Sequence, residues 1–373
     1  MDVSSEMIHG LLPVFMVSVL GASAVALGLV EGIAEATASI TKVFSGTLSD
    51  WLGRRKLLTG LGYAFGAASK PLFALAPSVP WVLIARFSDR VGKGVRGAPR
   101  DALVADITPV HLRGAAYGLR QALDTAGAFT GPLLAVVLMQ ATHDDFRFVF
   151  WVAVGPALVS VAVLVFGVAE PDRPRPPEAG RSAFRFAGLD QLGATYWGIV
   201  AVGAVLTLAR FSEAFLVLRV ASLGLPLAFA PLVLVVMNVL YATSSYPMGA
   251  LSDSIDRRLI VGAGFGMLAL ADVVLAAAPG PWLAMLGVGF WGLHMGMTQG
   301  LLGALVADSA PEALRGTAFG FFHLVSGVAM LIASLLAGVL WERFGAPATF
   351  LAGAAFTLLG VASMLIVARH ERP

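Results

Sequence analysis

The chain has no cysteine among its 373 residues. Disulfides, thiolate metal sites and cysteine nucleophiles are therefore excluded. Charge is scarce as well. Asp, Glu, Lys and Arg make up 13% of the chain, against about 25% in a soluble domain. Hydrophobic residues make up 58%, and the mean hydropathy is +0.83. A soluble fold has too little interior to hide this much apolar surface, so the solvent for most of it is lipid. The net charge of +2 offers no basic patch for nucleic acid. The opening MDVSSEMIHG lacks the basic start of a cleavable signal peptide, so the first apolar segment is expected to stay in the mature chain. No G-x-x-x-x-G-K-[ST] loop occurs, and GKGVRG (92–97) has the wrong spacing for one. Neither an HExxH pattern nor a serine elbow with a convincing triad is present. The chain is read as no enzyme, with no cofactor, no metal site and no ATP-driven step.

What is present is a series of long apolar segments. Spanning a bilayer takes about 20 apolar residues per helix. The segments run over 3–20, 23–45, 57–76, 81–105, 114–140, 147–168, 194–218, 227–248, 259–278, 282–307, 316–340 and 347–368. Lipid cannot satisfy free backbone groups, and the alternation of a membrane barrel is absent, so these segments predict helices. The expected fold is an all-α membrane protein with twelve transmembrane helices. Basic residues orient it. One set of loops carries Arg54, Arg55, Lys56, Arg113, Arg173, Arg175, Arg181, Arg185, Arg257, Arg258 and Arg315; the other has little beyond Arg147, Arg219 and Arg343. Both termini are expected in the cytoplasm, with the protein in a bacterial inner (plasma) membrane.

A repeat divides the chain. GTLSDWLGRR from Gly46 returns as GALSDSIDRR from Gly249, an offset of 203. ALVAD at 102–106 returns at 304–308, and Arg113-Gly114 returns as Arg315-Gly316, both at an offset of 202. Two parallel six-helix halves are expected, 1–168 and 194–373, with a proline-rich, basic cytoplasmic linker over 169–193. SSE before Met7 aligns with FSE before Ala214. The first segment thus reads as two or three turns shorter than its copy, and a misassigned start is the favoured explanation.

The polar residues inside the segments carry the functional signal. In the fourth, ARFSDRVGKGVRGAPRDALVAD, an advance of about 100° per residue puts Arg86, Asp89, Arg90, Lys93, Arg96, Arg100 and Asp101 within about 140° of arc. Each charge at mid-membrane costs on the order of 2.5–3.5 kcal/mol on insertion scales, so this face must meet a watery cavity or carboxylates. Candidate partners are Glu31 and Glu35 in the second segment, Arg120 and Asp124 in the fifth, and Asp2 and Glu6 in the first. The second half adds Arg210, Glu213, Asn238, Tyr241, His294, Gln299 and His323. Glu31, Glu35 and Asp124 are read either as proton carriers or as constant counter-ions to the basic stripe. His294 is read as a relay or as a packing residue. Lys70 in the third segment is expected to snorkel or pair locally, and Asp272 in the ninth to pair locally.

The stretch GTLSDWLGRRK fits G-x-L-x-D-x-x-G-R-R/K. With twelve segments and a parallel repeat, the chain resembles the major facilitator superfamily over essentially its whole length. The resemblance implies a latch at the cytoplasmic ends of the helices. It would involve Gly46, Asp50, Gly53, Arg54, Arg55 and Asp106, with a weaker copy in Asp253 and Arg257 and with Asp308 in the place of Asp106. It also implies a cavity lined by segments one, two, four, five, seven, eight, ten and eleven, with Arg86 where the family often carries an arginine linked to proton coupling. GAFTGPLL, with Gly127, Gly131 and Pro132, is similar to the family's antiporter motif but lacks its later glycine pair. The expected function is secondary active transport of a small organic solute, anionic or zwitterionic, by alternating access, with protons as the coupling partner. An exporter of amphiphilic cations is the alternative, and a non-transporting receptor on the same scaffold is a third. By resemblance the protein is expected to be a monomer in the lipid bilayer.

Overall fold

A segment in lipid must close its own backbone hydrogen bonds, and helix accounts for nearly all of the described residues. The computed structural model describes residues 1–52, 54–109, 113–169, 192–251, 255, 257–309 and 315–370. The helices are α1 (Asp2–His9), α2 (Leu12–Val14), α3 (Ala24–Leu52), α4 (Arg55–Ala74), α5 (Val79–Ile107), α6 (Arg113–Ala141), α7 (Phe146–Val152) and α8 (Val154–Gly167). They continue with α9 (Ala194–Ala209), α10 (Ala214–Ser222), α11 (Leu232–Leu251), α12 (Arg257–Ala277), α13 (Pro281–Ser309), α14 (Arg315–Phe344) and α15 (Ala346–His370). No strand occurs among the described residues.

Three of the segments expected as single helices are broken. The first consists of α1, α2 and a π-turn over Phe15–Val19. Gly10 and Pro13 interrupt it, since glycine adds no helix propensity and proline has no N–H to give. The sixth is split at Ala153 into α7 and α8. Asp145 starts α7 by accepting the Phe148 N–H at 3.0 Å. The seventh is split over 210–213 into α9 and α10. There the Ser212 hydroxyl accepts the Ala214 N–H at 3.2 Å. A local bond of this kind competes with the helix ladder.

Among the described residues, seven stretches are long and apolar enough to cross a membrane: Ala24–Ser45, Leu123–Ala141, Phe146–Gly167, Ala194–Ser222, Leu227–Gly249, Leu259–Ala277 and Ala318–Phe344. The helices α4, α5 and α13 are long enough but not apolar enough over their described residues. In α5 the reason is the charged stripe.

Two compact units are present. The first contains residues 1–9 and 33–186. In it α4 packs on α5, α7 and α8, and α1 packs on α6. The α4–α5 contact is backbone on backbone. A Cβ on Gly62 would lie 2.7 Å from the Arg96 nitrogen, and one on Gly92 would lie 2.7 Å from the Gly66 nitrogen. Only glycine allows helices this close. The second unit contains residues 10–32 and 187–373. In it α12 packs on α13 and α15, α11 on α13, and α9 on α14 and α15.

Two arginines that break the charge bias of the loops have structural work in their own units. In the first unit Arg147 donates to the carbonyls of Ala74 and Ala76, each at 2.9 Å. In the second Arg219 donates to those of Leu275, Ala276 and Ala278 at 2.9–3.2 Å. Each caps the open carbonyls at the end of a helix, α4 or α12. Ala74 and Ala276, like Ala76 and Ala278, stand at the repeat offset of 202.

Candidate functional site

In the first unit the basic stripe of α5 meets carboxylates from several helices. Arg90 Nη1 lies 3.6 Å from Glu35 Oε1 on α3. Asp89 Oδ1 accepts from Lys70 Nζ on α4 at 2.7 Å, and the same ammonium donates to Ser5 Oγ on α1 at 2.9 Å. Arg96 lies 3.5 Å from Asp2 Oδ1 on α1 and places its guanidinium over the Tyr63 ring, 5.0 Å from the centroid. Arg100 and Arg120 both reach Asp124 Oδ2 on α6, at 3.4 and 3.1 Å, and Arg120 also reaches Asp101 at 3.1 Å. Arg86 is buried. Asp89, Arg90, Arg96, Arg100 and Asp101 thus meet opposite charges within the unit, which offsets the cost of burying them.

Lys93 stands apart. It is exposed, and it makes no ion pair among the described residues. Below it on α1, Glu6 Oε2 lies 3.7 Å from His9 Nδ1. The neighbouring α6 presents Gly127 and Gly131 to α1. A Cβ on Gly131 would lie 2.6 Å from the Val3 carbonyl and 3.0 Å from Glu6 Cβ. The small residues of that stretch therefore seat α1, and with it Asp2 and Glu6, against α6. Pro132 is buried beside them.

In the second unit polar groups gather at the break between α9 and α10. Glu31, fully buried, accepts from the Ser212 hydroxyl at 3.4 Å. The Ser212 N–H donates to Ser334 Oγ on α14 at 3.2 Å. Arg210 and Glu213 flank this point, both half-buried. Tyr241 donates to Gln299 Oε1 at 3.3 Å. His294 is buried, with Nδ1 at 2.9 Å from the Gly264 carbonyl and its ring 4.9 Å from that of Phe265.

Of the two expectations about peripheral helices, one narrows and one changes. Lys70 pairs rather than snorkels: its side chain is 1% exposed and meets Asp89. Asp272 does not pair locally: it is fully buried, and neither carboxylate oxygen has a hydrogen-bond partner among the described residues. The break over 210–213 was also missed, for LTLARFSEAFLVL contains neither proline nor glycine. The one available signal was Ser212 three residues into a polar interruption of an apolar run.

Most of the expected latch lies outside the described residues. This holds for Gly53 and Asp253, and for the side chains of Asp50, Asp106, Arg257 and Asp308; Gly46 is placed in α3 by its backbone alone. Arg54 is exposed just before α4, and Arg55 opens that helix. The neighbouring Lys56 donates to the Val165 carbonyl at 2.9 Å.

A helical chain with membrane-length apolar stretches and a band of buried, balanced charge defines a membrane transporter. The chain belongs to the Major Facilitator Superfamily, whose family model matches residues 1–237 and 199–373. It is 31% identical over 372 residues to an MFS-type transporter of Methanocaldococcus jannaschii, covering 98% of this chain and 92% of that one. Among solved structures, a bacterial homologue of the human lysosomal transporter Spinster shares the fold with a TM-score of 0.81 at 15% identity, over 99% of this chain and 94% of that one. A POT family transporter in complex with 5-aminolevulinic acid does so with a TM-score of 0.81 at 10% identity, over 98% of this chain and 93% of that one.

Proposed function

We propose that the protein carries a small anionic or zwitterionic organic solute across the inner membrane by alternating access, coupled to protons. In this reading twelve helices span the bilayer with both termini in the cytoplasm. Two bundles, 1–168 and 194–373, are joined by the linker over 169–193, and the protein works as a monomer. It is a transporter and not an enzyme. Gly46, Asp50, Gly53, Arg54, Arg55 and Asp106 would latch one state, with Asp253 and Arg257 as a weaker copy.

The observation that carries the reading is Lys93. Arg90, Arg96, Arg100 and Arg120 are matched by carboxylates, whereas Lys93 is exposed without an ion pair among the described residues. An anion or a zwitterion's carboxylate supplies the missing charge. The ammonium of a zwitterion has Glu6 and Glu35 nearby on the same unit, since both act electrostatically on Lys93. The POT neighbour's complex with 5-aminolevulinic acid, which has both groups, is in line with this class.

Proton coupling would work through the same pairs. A proton on Glu35 removes the attraction holding Arg90, and a proton on Asp124 loosens Arg100 and Arg120. Glu31 at the helix break is the third candidate. Binding can shift the balance of two states only through different affinity for each, and breaking an ion pair supplies such a difference.

The test is thermal stability of the purified protein with matched panels of organic anions, zwitterions and amphiphilic cations. A ligand at about 100 times its Kd adds roughly 2.7 kcal/mol. Stabilisation by an anion or zwitterion that disappears in Lys93→Gln is expected. Stabilisation by cations alone, unchanged in Lys93→Gln, would contradict the reading and favour a cation exporter.

A further inference from the structure

The ninth segment holds a carboxylate that the transport reading does not use. Asp272 on α12 is fully buried, and neither oxygen has a hydrogen-bond partner among the described residues. An ionised carboxylate left so, away from water and without a cation, costs several kcal/mol. A carboxyl group that carries its proton does not meet that cost.

The surroundings are specific. A Cβ on Gly353 of α15 would lie 2.7 Å from Asp272 Oδ2 and 3.2 Å from Phe211 Cε1. The carboxyl group and the edge of the Phe211 ring therefore share the space over Gly353, which only a glycine leaves open. The Phe211 ring lies 5.4 Å from those of Trp291 and Phe350. Trp291 is itself buried, and its Nε1–H has no partner among the described residues. Phe211 also sits in the break between α9 and α10, one residue from Ser212 and its bond to Glu31.

The repeat sharpens the point. Lys70 and Asp272 are related by the offset of 202, and so are Asp89 and Trp291. Where the first half has a buried ion pair, the second has an acid and an indole N–H, each without a hydrogen-bond partner among the described residues. We propose that Asp272 is a proton-binding site of the second unit, and that Phe211 transmits its loading to the broken seventh segment. On release, the O–H bond of the carboxyl group breaks, the proton passes to water, and the carboxylate keeps the electron pair.

Other ionisable groups on the packed elements are engaged elsewhere or lie at a distance. On α13, His294 is bonded to the Gly264 carbonyl, eight residues and about 12 Å along α12. Arg219 is taken up by three backbone carbonyls at the end of α12. Arg210 and Glu213 stand one residue before and two residues after Phe211 in the break, both half-buried. Arg257 and Arg258 start α12 fourteen or more residues away, and Arg369 and His370 end α15 sixteen or more residues from Gly353.

This inference deepens the proton-coupled reading, so its test does not depend on flux. The infrared spectrum of the reconstituted protein reports protonated carboxyl groups directly, through a C=O band that shifts in deuterium oxide. Asp272→Asn should delete one such band with the fold intact, and Asp272→Glu should move it. The glutamate variant decides the matter where the asparagine variant yields no folded protein. Because the chain has no cysteine, a single cysteine at Thr207 on α9 reports the seventh segment by its labelling rate. That rate should depend on pH in the otherwise unchanged protein and lose the dependence with Asp272→Asn. A carboxyl band untouched by both Asp272 variants ends the proton site. A labelling rate that keeps its pH dependence with Asp272→Asn ends the transmission through Phe211. A wild-type flux indifferent to a pH gradient would instead end the coupled-transport reading while leaving the band, and the site, in place.

Discussion

The α4–α5 pair and the α12–α13 pair are copies of one element, and they solve the same problem differently. In the first, Lys70 and Asp89 face each other at 2.7 Å with almost no exposure. In the second, the corresponding residues are Asp272 and Trp291, both buried and both without hydrogen bonds on their polar side-chain atoms among the described residues. The outer frame is common to the two. In each copy the carbonyls at the end of the first helix are taken by an arginine, Arg147 or Arg219. A buried ion pair fixes two helices in register but costs dearly if one partner is lost. A lone acid in an apolar wall cannot serve that purpose, but it can hold and release a proton. The duplicated scaffold keeps a capped end on both copies, with arginines from non-equivalent positions, and differs at this buried pair.

That difference predicts a sequence of effects. The largest belongs to Lys70→Ala, which leaves Asp89 buried without its ammonium. About 3–5 kcal/mol of destabilisation is expected by thermal or denaturant unfolding in detergent, and Lys70→Met with Asp89→Leu should recover most of it in a double-mutant cycle. Next come the caps. Arg219→Met strands three carbonyls and Arg147→Met two, so a loss of about 1.5–3 kcal/mol is expected for each, with Arg219 the more costly. Gly62→Ala pushes a methyl group to within 2.7 Å of the Arg96 backbone and should cost about 1–3 kcal/mol through separation of α4 from α5. The smallest effect is expected at Asp272→Asn, within about 1 kcal/mol of the parent, since no charge pairing is lost. A loss there as large as that at Lys70 would break the comparison.

Much of this was legible in the sequence. The repeat, the helical segments and the charge stripe of α5 follow from spacing and from the cost of charge in lipid. The partners Glu35, Asp124 and Asp2 were also foreseeable, because few carboxylates were available to neutralise five basic residues. The rest was not. Lys70 and Asp272 look alike as single charges in apolar helices, and only the tertiary neighbours decide that one meets Asp89 and the other shares the space over Gly353 with the edge of Phe211. The break in the seventh segment is held by tertiary bonds, those of Ser212 to Glu31 and Ser334, which no local pattern encodes. Arg147 and Arg219 looked like exceptions to a loop bias. Their role as caps appears only when the ends of α4 and α12 are seen beside them.

The most direct measurement places the purified protein in liposomes loaded with a pH-sensitive dye and adds organic anions, zwitterions and amphiphilic cations in turn. Proton-coupled transport of an anionic or zwitterionic solute predicts a change of internal pH on adding such a solute, absent in Lys93→Gln and in Glu35→Gln protein of the same fold. A pH change driven by amphiphilic cations alone, and kept in Lys93→Gln, would contradict it.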